Sequence, residues 1–412
     1  MKPRVHQILA TLGYGDAIGN EVLGICRTLR AAGYESEIIV ETADPRLEDL
    51  TVDYQEMVDS DAVGPDDLLI HHFSIGSRAS RTAFALPSRM ILIYHNITPP
   101  EFFLGVHPQL VKQCYHGRRE LTAYPSRVDL ALGDSEFNRQ ELESLGFSPT
   151  DVLPVVPDFA HLDVAPDPRT IAAYDDEWTN IVFVGRLIPN KRPDDVIRFF
   201  HAYKTLYNTR ARLILAGSYT GFETYLAQLH TLIADLGARD VHIIGQVTNA
   251  ELTGIYDCAD LFLCASEHEG FCVPLIESFY KRVPVLAYAA TAVPVTMDGG
   301  GVLYDRKDPS HVAALMHALV SDHAMADQVL EAQDAALDRL LKKDFGGMLL
   351  RFVERALASP RKPQPPVTFD FWRQYKLAEE LAEVRFFRPS AFRALPVEDE
   401  ATIVADLEHR RE

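Results

Sequence analysis

The chain has 412 residues, 47% of them hydrophobic and 24% charged, with a formal net charge of −19. That length exceeds a single typical core and predicts two domains of a water-soluble protein. The acidic balance excludes general nucleic-acid binding, which needs clustered Lys and Arg, but a few local cations suffice for a small anion. The five cysteines (Cys26, Cys114, Cys258, Cys264, Cys272) are scattered and contain no C-x-x-C pair. They read as reduced thiols of a cytoplasmic protein, neither a disulfide framework nor a zinc site. No apolar run approaches the ~18 residues of a membrane span. The N-terminus shows no signal peptide, so the Asn96-Ile97-Thr98 glycosylation pattern is read as chance.

Short apolar runs alternate with helical patterns along the chain, the signature of parallel α/β architecture. In the first half, strands are expected at Val5–Leu12, Ser36–Val40, Asp67–His71, Arg89–Tyr94, Val128–Gly133 and Val152–Val155. Helical patterns such as Glu21–Ala32 and Asn138–Leu145 lie between them. Gly13-Tyr-Gly15-Asp-Ala-Ile-Gly19 follows the first strand with a G-x-G-x-x-x-G spacing, one residue longer than the dinucleotide fingerprint. Glycines let backbone approach a ligand closely, and the next helix offers free N–H groups. A plain βα turn reads equally well. Glu41, after the second strand, keeps a dehydrogenase open on this loop alone. His71-His72, His95-Asn96 and Asp134-Ser135-Glu136 all end strands, where α/β proteins place ligands.

Asp163-Val-Ala-Pro-Asp-Pro168 reads as a hinge, and the rhythm restarts at Asn180–Gly185. Further strands are expected at Arg212–Ala216, Val241–Gly245, Leu261–Ala265 and Val283–Ala287. Helices are expected at Pro193–Tyr207, Phe222–Leu236, Asn249–Cys258 and Pro274–Tyr280, then from Pro309 to about Leu357. Gly185-Arg186-Leu-Ile-Pro-Asn-Lys191 places two cations at a strand's carboxyl end, one a planar fork and one a point charge, both suited to phosphate. Glu269-Gly270-Phe271-Cys272-Val273-Pro274-Leu275-Ile276-Glu277 carries two carboxylates eight residues apart around a helix start. The free N–H groups and dipole of that helix favour an anion, whereas the carboxylates suit paired hydroxyls. Sugar plus phosphate is the reading; an ordinary strand–loop–helix joint is its alternative. Asp59-Ser60-Asp61 and Asp257-Cys-Ala-Asp260 have the look of cation ligands but read as surface acids and caps, so no metal is expected. Lys112, Arg118 and Arg119 in Gln109–Glu120 form either a solvated helix face or a peripheral contact to an anionic membrane.

Taken in order, Gly13–Gly19, His95, Arg186 with Lys191 and Glu269-x7-Glu277 make the chain resemble the retaining glycosyltransferases of family four, over about residues 4 to 345. The resemblance implies the α/β GT-B fold: two Rossmann-like domains with parallel sheets facing a central cleft. The first would be an acceptor-side domain (1–165) and the second a nucleotide-sugar donor domain (166–345). A C-terminal helical extension (346–412) is expected to pack back on the first. By the same resemblance Arg186 and Lys191 bind the donor diphosphate, and Glu269 with the backbone of Gly270, Phe271, Cys272 and Val273 holds the sugar. Glu277 accepts from the ribose, and Gln246 and Val247 meet the nucleobase. His95 sits near the anomeric centre, and Gly13 and Gly15 lie against the phosphates or acceptor. It implies metal-independent transfer of a hexose, with GDP-mannose or UDP-hexose as co-substrate and no cofactor. The acceptor would be a glycan or lipid-linked hydroxyl compound in polysaccharide biosynthesis. An epimerase or phosphorylase of the same shape, or a non-catalytic nucleotide-sugar or glycan-binding protein, are the alternatives. One departure stands out: Ala287-Tyr-Ala-Ala-Thr-Ala-Val-Pro294 lacks the expected Gly-rich loop, with Gly299-Gly300-Gly301 further on.

Overall fold

In the computed structural model, which describes residues 3–59, 63–155 and 159–363, the strands form two all-parallel sheets. The first sheet holds β1 (Val5–Leu12), β2 (Ile38–Ala43), β3 (Thr51–Asp53), β4 (Leu68–Phe73), β5 (Arg89–Tyr94), β6 (Leu130–Gly133) and β7 (Thr150–Val152). Their spatial order is β3-β2-β1-β4-β5-β6-β7. The second holds β8 (Thr179–Val184), β9 (Ala211–Ala216), β10 (Val241–Gly245), β11 (Leu261–Cys264), β12 (Val285–Tyr288) and β13 (Val302–Tyr304), ordered β10-β9-β8-β11-β12-β13. Central strands such as β4 and β9 are buried along their whole length. Helices cover both faces of a parallel sheet, so its strands are mostly apolar, with His71 and His72 on β4 among the exceptions. The three-residue strands β3 and β13 escaped sequence reading because so short a segment carries no period.

The chain divides at Val155: among the described residues, those up to Pro154 together with 345–363 make one unit, and those of Val155–Asp344 make the other. The Pro-rich stretch is therefore not the division point. Asp167 caps the helix Pro168–Tyr174 by accepting from Thr170 N (2.8 Å), and its own N–H donates to Ala250 O (2.9 Å), inside the second unit. The helix Phe345–Ala358 belongs to the first unit. Its residues Leu349, Phe352, Val353 and Ala356 recur at helical spacing and pack with Leu68, Ile70, Ile91 and Ile93. Arg89 donates to Ala356 O (3.1 Å) and Ser359 O (2.8 Å), satisfying carbonyls that a helix end leaves open. The rest of the expected extension, from residue 364, lies outside the described residues, as do Ser60 and Asp61.

Candidate functional site

The second sheet changes direction between β8 and β11, and the loops leaving those neighbouring strands part at a switch point, where α/β sheets hold ligands. Asn190 joins the two loops: its side chain donates to His268 O (3.0 Å) and its carbonyl accepts from Glu267 N (2.8 Å). Lys191 Nζ then meets Glu269 Oε1 at 2.7 Å, and the Ser266 hydroxyl donates to the same oxygen at 2.8 Å. Glu269 N donates to Thr291 Oγ1 (2.9 Å), fixing the backbone behind the carboxylate. Burial pulls the Lys191 ammonium down, but the Glu269 charge outweighs it and holds the group above the ordinary lysine range. Lys191 is therefore charged at any physiological pH. Lys307 braces the loop from behind through Asp195 (2.9 Å), Glu267 (2.7 Å) and Ala265 O (2.9 Å).

The β8 loop can lie this close only because of a glycine pair. Gly217 has φ +149°, and a Cβ built on it would stand 2.0 Å from Gly185 O. We expect Gly217→Ala to destabilise the second unit by at least about 2 kcal/mol, read as a lower urea midpoint, since backbone can neither shift cheaply nor accept that φ.

The helix following β11 begins at Val273, with Pro274 its second residue and Cys272 before it at φ +75°. The N–H groups of Gly270, Phe271, Cys272 and Val273 find no acceptor among the described residues. Four orphan donors at a helix start invite an anion. Glu277, buried at 7% exposure, accepts from Tyr256 Oη at Oε2 (2.9 Å) and faces His161 Nε2 at Oε1 (2.9 Å). Burial and then the Glu277 charge push the Tyr256 phenol well up, so it stays a donor. Arg186 is exposed on the β8 loop, its guanidinium 5.4 Å from the Phe222 ring centroid. Gln246 and Val247 follow edge strand β10, two strands from β8.

In the first unit the switch point lies between β1 and β4. Gly15 has φ +73°, and Gly13 and Gly19 pack so closely that a Cβ on Gly19 would meet Gly13 O at 2.2 Å. The helix Ala17–Ala31 is capped by Asp16, whose carboxylate accepts from Gly19 N at 2.5 Å. An internal anion thus already occupies this helix start. Glu41 accepts from the N–H groups of Arg78 (3.0 Å) and Ala79 (3.3 Å), so it caps a neighbouring helix instead of standing ready for a ribose. His95, after β5, meets Asp134 Oδ2 through Nδ1 (2.9 Å) and His72 Nδ1 through Nε2 (2.9 Å). Glu21 Oε2 lies 3.9 Å from the same Nδ1. Among the described residues Glu21, His95 and Asp134 are the one His/Cys/Asp/Glu group of three with ligand atoms all within 4.8 Å.

The other carboxylates and cations weighed in the sequence have separate partners. Asp257 pairs with Lys281 (2.5 Å), and Asp260 accepts from Asn180 N (2.7 Å). Arg118 turns back onto Ile97 O and Glu141, each at 2.7 Å, and leaves the basic face of Pro108–Leu121. Among the described residues no helix is long and apolar enough to cross a membrane. Sequence reading missed Glu21, His161, Tyr256, Ser266 and Thr291. All but Ser266 meet their partners only through the fold, and none stands in a motif.

Comparison with known proteins gives this geometry its setting. Residues 169–334 match the model of the family described as glycosyl transferases, group 1. Over 255 residues the chain is 26% identical to O-antigen chain mannosyltransferase B of Escherichia coli, covering 58% of this chain and 64% of that protein. Over 151 residues it is 32% identical to D-inositol 3-phosphate glycosyltransferase of Corynebacterium jeikeium strain K411, covering 34% and 35%. The chain thus spans less than two thirds of the length of these relatives. Sucrose-phosphate synthase of Thermosynechococcus elongatus matches in structure with TM-score 0.66 at 14% identity, over 86% of this chain and 99% of that one. Anabaena HepE in complex with UDP-glucose matches with TM-score 0.66 at 15% identity, over 85% and 99%. The chain has the α/β GT-B fold, and its residues 169–334 are similar to the group 1 glycosyl transferases.

Proposed function

We propose that the chain is a retaining, metal-independent hexosyltransferase. It moves a hexose from a nucleotide-diphosphate sugar, GDP-mannose or a UDP-hexose, to a hydroxyl acceptor in glycan biosynthesis. The observation that carries this reading is the Lys191–Glu269 contact at the β8/β11 switch point, beside four unpartnered N–H groups and with Glu277 eight residues on. Cations and orphan amides bind a diphosphate; carboxylates flanking them bind hydroxyls on either side.

The barrier is cleavage of the glycosyl–phosphate bond through an oxocarbenium-like state. Negative charge grows on the departing diphosphate, so Lys191, Arg186 and the amides of Gly270 to Val273 act where charge develops. Glu269 orients the sugar and keeps Lys191 charged; Glu277 grips the ribose. The leaving phosphate takes the acceptor's proton on the same face, which retains the anomeric configuration. The loop of Gly13 and Gly15 serves the acceptor, His95 acts on the sugar only through its position and charge, and Gln246 with Val247 serve the base.

The test is a thermal-shift panel of nucleotide-diphosphate sugars followed by transfer with the best donor. A ligand at a hundred times its Kd stabilises by about 2.7 kcal/mol, a readily measured shift. The expected product, by proton NMR, keeps the donor's anomeric configuration. Inversion, or no stabilisation by any donor, would sink the proposal.

A further inference from the structure

Four parallel strands bring a row of polar side chains to one end of the first sheet, and their hydrogen bonds can be followed donor by donor. Gln7 on β1 donates its amide Nε2 to Val22 O (3.1 Å), which turns its Oε1 toward His72. That oxygen can only accept, so His72 Nε2, 2.9 Å away, carries a proton. His72 is buried at 1% exposure, and burial pushes its pKa well down, so it is neutral. A neutral imidazole protonated at Nε2 has its lone pair on Nδ1. His95 Nε2 stands 2.9 Å from that lone pair, in rings only 5° from parallel with centroids 5.2 Å apart, the arrangement of an in-plane N–H···N bond. His95 Nε2 is therefore a donor. Its other nitrogen faces the carboxylate of Asp134 at 2.9 Å, with Glu21 at 3.9 Å.

We propose that His95 is held as a doubly protonated imidazolium, a buried fixed cation that acts as a charge-bearing positioning residue and never as a general base. Its role in sugar transfer rests on the function proposed above; its protonation state does not. Both N–H groups are spent on protein acceptors, so neither is offered to a substrate. The cation lies between two carboxyl groups from different elements: Asp134 past β6 and Glu21 in the helix that follows the glycine loop. Glu21 is 93% buried by residue surface (7% exposed), and neither of its oxygens has a hydrogen-bond partner. An orphan buried carboxyl is costly unless a cation or a proton offsets it. The groups that face His95 are Asp134, Glu21, Asp16, His72 and His71. Burial pulls the imidazole down, but Asp134 foremost, then Glu21 and Asp16, lift it to about 9. Glu21 is itself pushed up, by burial and then by Asp134, against the pull of His95.

The test is two-bond proton–nitrogen NMR of the full chain labelled at its 15 histidines, with His95 assigned by loss of its signals in His95→Gln. At about pH 7.5 both ring nitrogens of His95 should carry protons, where a free histidine is mostly neutral. Gln7→Met should lower the proton affinity of His95 at least about tenfold without touching it, because His72 can then move its proton to Nδ1 and force His95 Nε2 to accept. A lone pair on either His95 nitrogen in the unaltered protein overturns the proposal. So does Zn²⁺ binding that shifts the His95 signals, which would make the cluster a metal site. None of these readings needs a substrate, so they stand apart from failure of the transferase assignment. In transfer assays kcat should be flat through neutral pH and fall only above about 9; a fall on the acid side near 6.5 would mark a general base.

Discussion

Lys191→Ala is expected to abolish donor-induced stabilisation and to lower kcat/KM about 10²–10³-fold, the usual loss when one well-placed charge-stabilising donor is removed. The substitution has a structural cost as well, and the two can be separated. Lys191 and Glu269 have side-chain exposures of only 17% and 9%. Breaking a buried pair from one side leaves an uncompensated charge and costs about 3–5 kcal/mol, more than an exposed pair would. The double variant Lys191→Met/Glu269→Gln removes both charges at similar volume, so its urea midpoint should return most of the way to that of the unaltered protein. Transfer should not return with it. If activity recovered together with stability, the pair would be a brace for the β8 and β11 loops and nothing more. Lys191→Arg, which keeps the charge, should retain folding and part of the donor affinity.

Much of this arrangement was readable from sequence, for a physical reason. Parallel strands in a covered sheet are largely apolar runs, so β1, β5 and the edge strand β10 were placed to the residue despite polar residues such as Gln7 and His242. Gly185, Pro189 and the cations beside them mark a loop at a strand's carboxyl end, and the Rossmann-type rule puts ligands there. What could not be read were partners that meet only through the fold. Asn190 reaches His268 across 78 positions, and His161 reaches Glu277 across 116. The His95–Asp134 contact lay between the two cases. Tyr94 and Gly133 are register partners in neighbouring parallel strands, so the residues after them emerge side by side. Strand order was the missing knowledge. Glu21 was hidden more completely, because a carboxylate in a helical run reads as a solvated face until the neighbouring strand ends are known to enclose it.

Glu277 gives the second large effect, and here the ligand can be altered as well as the protein. An ionised carboxylate has about four acceptor sites. Tyr256 and His161 each engage one oxygen at 2.9 Å, leaving capacity for the two hydroxyls of a ribose without displacing either. Hydrogen bonds to a charged acceptor are worth about 1.5–3 kcal/mol, so Glu277→Ala should weaken nucleoside-diphosphate binding about 10- to 100-fold by calorimetry. It should also cost about 1–3 kcal/mol of stability, because the Tyr256 hydroxyl, fully buried, loses its acceptor. Stability loss alone could weaken binding indirectly, so the decisive comparison uses a 2′,3′-dideoxy nucleoside diphosphate. The unaltered protein should bind that analogue as poorly as Glu277→Ala binds the parent nucleotide. In the variant, removing the ribose hydroxyls should cost nothing further, which is the signature of a shared contact in a double-mutant-type cycle. An undiminished penalty for deoxygenation in the variant would put the ribose elsewhere and reduce Glu277 to a partner of Tyr256 and His161.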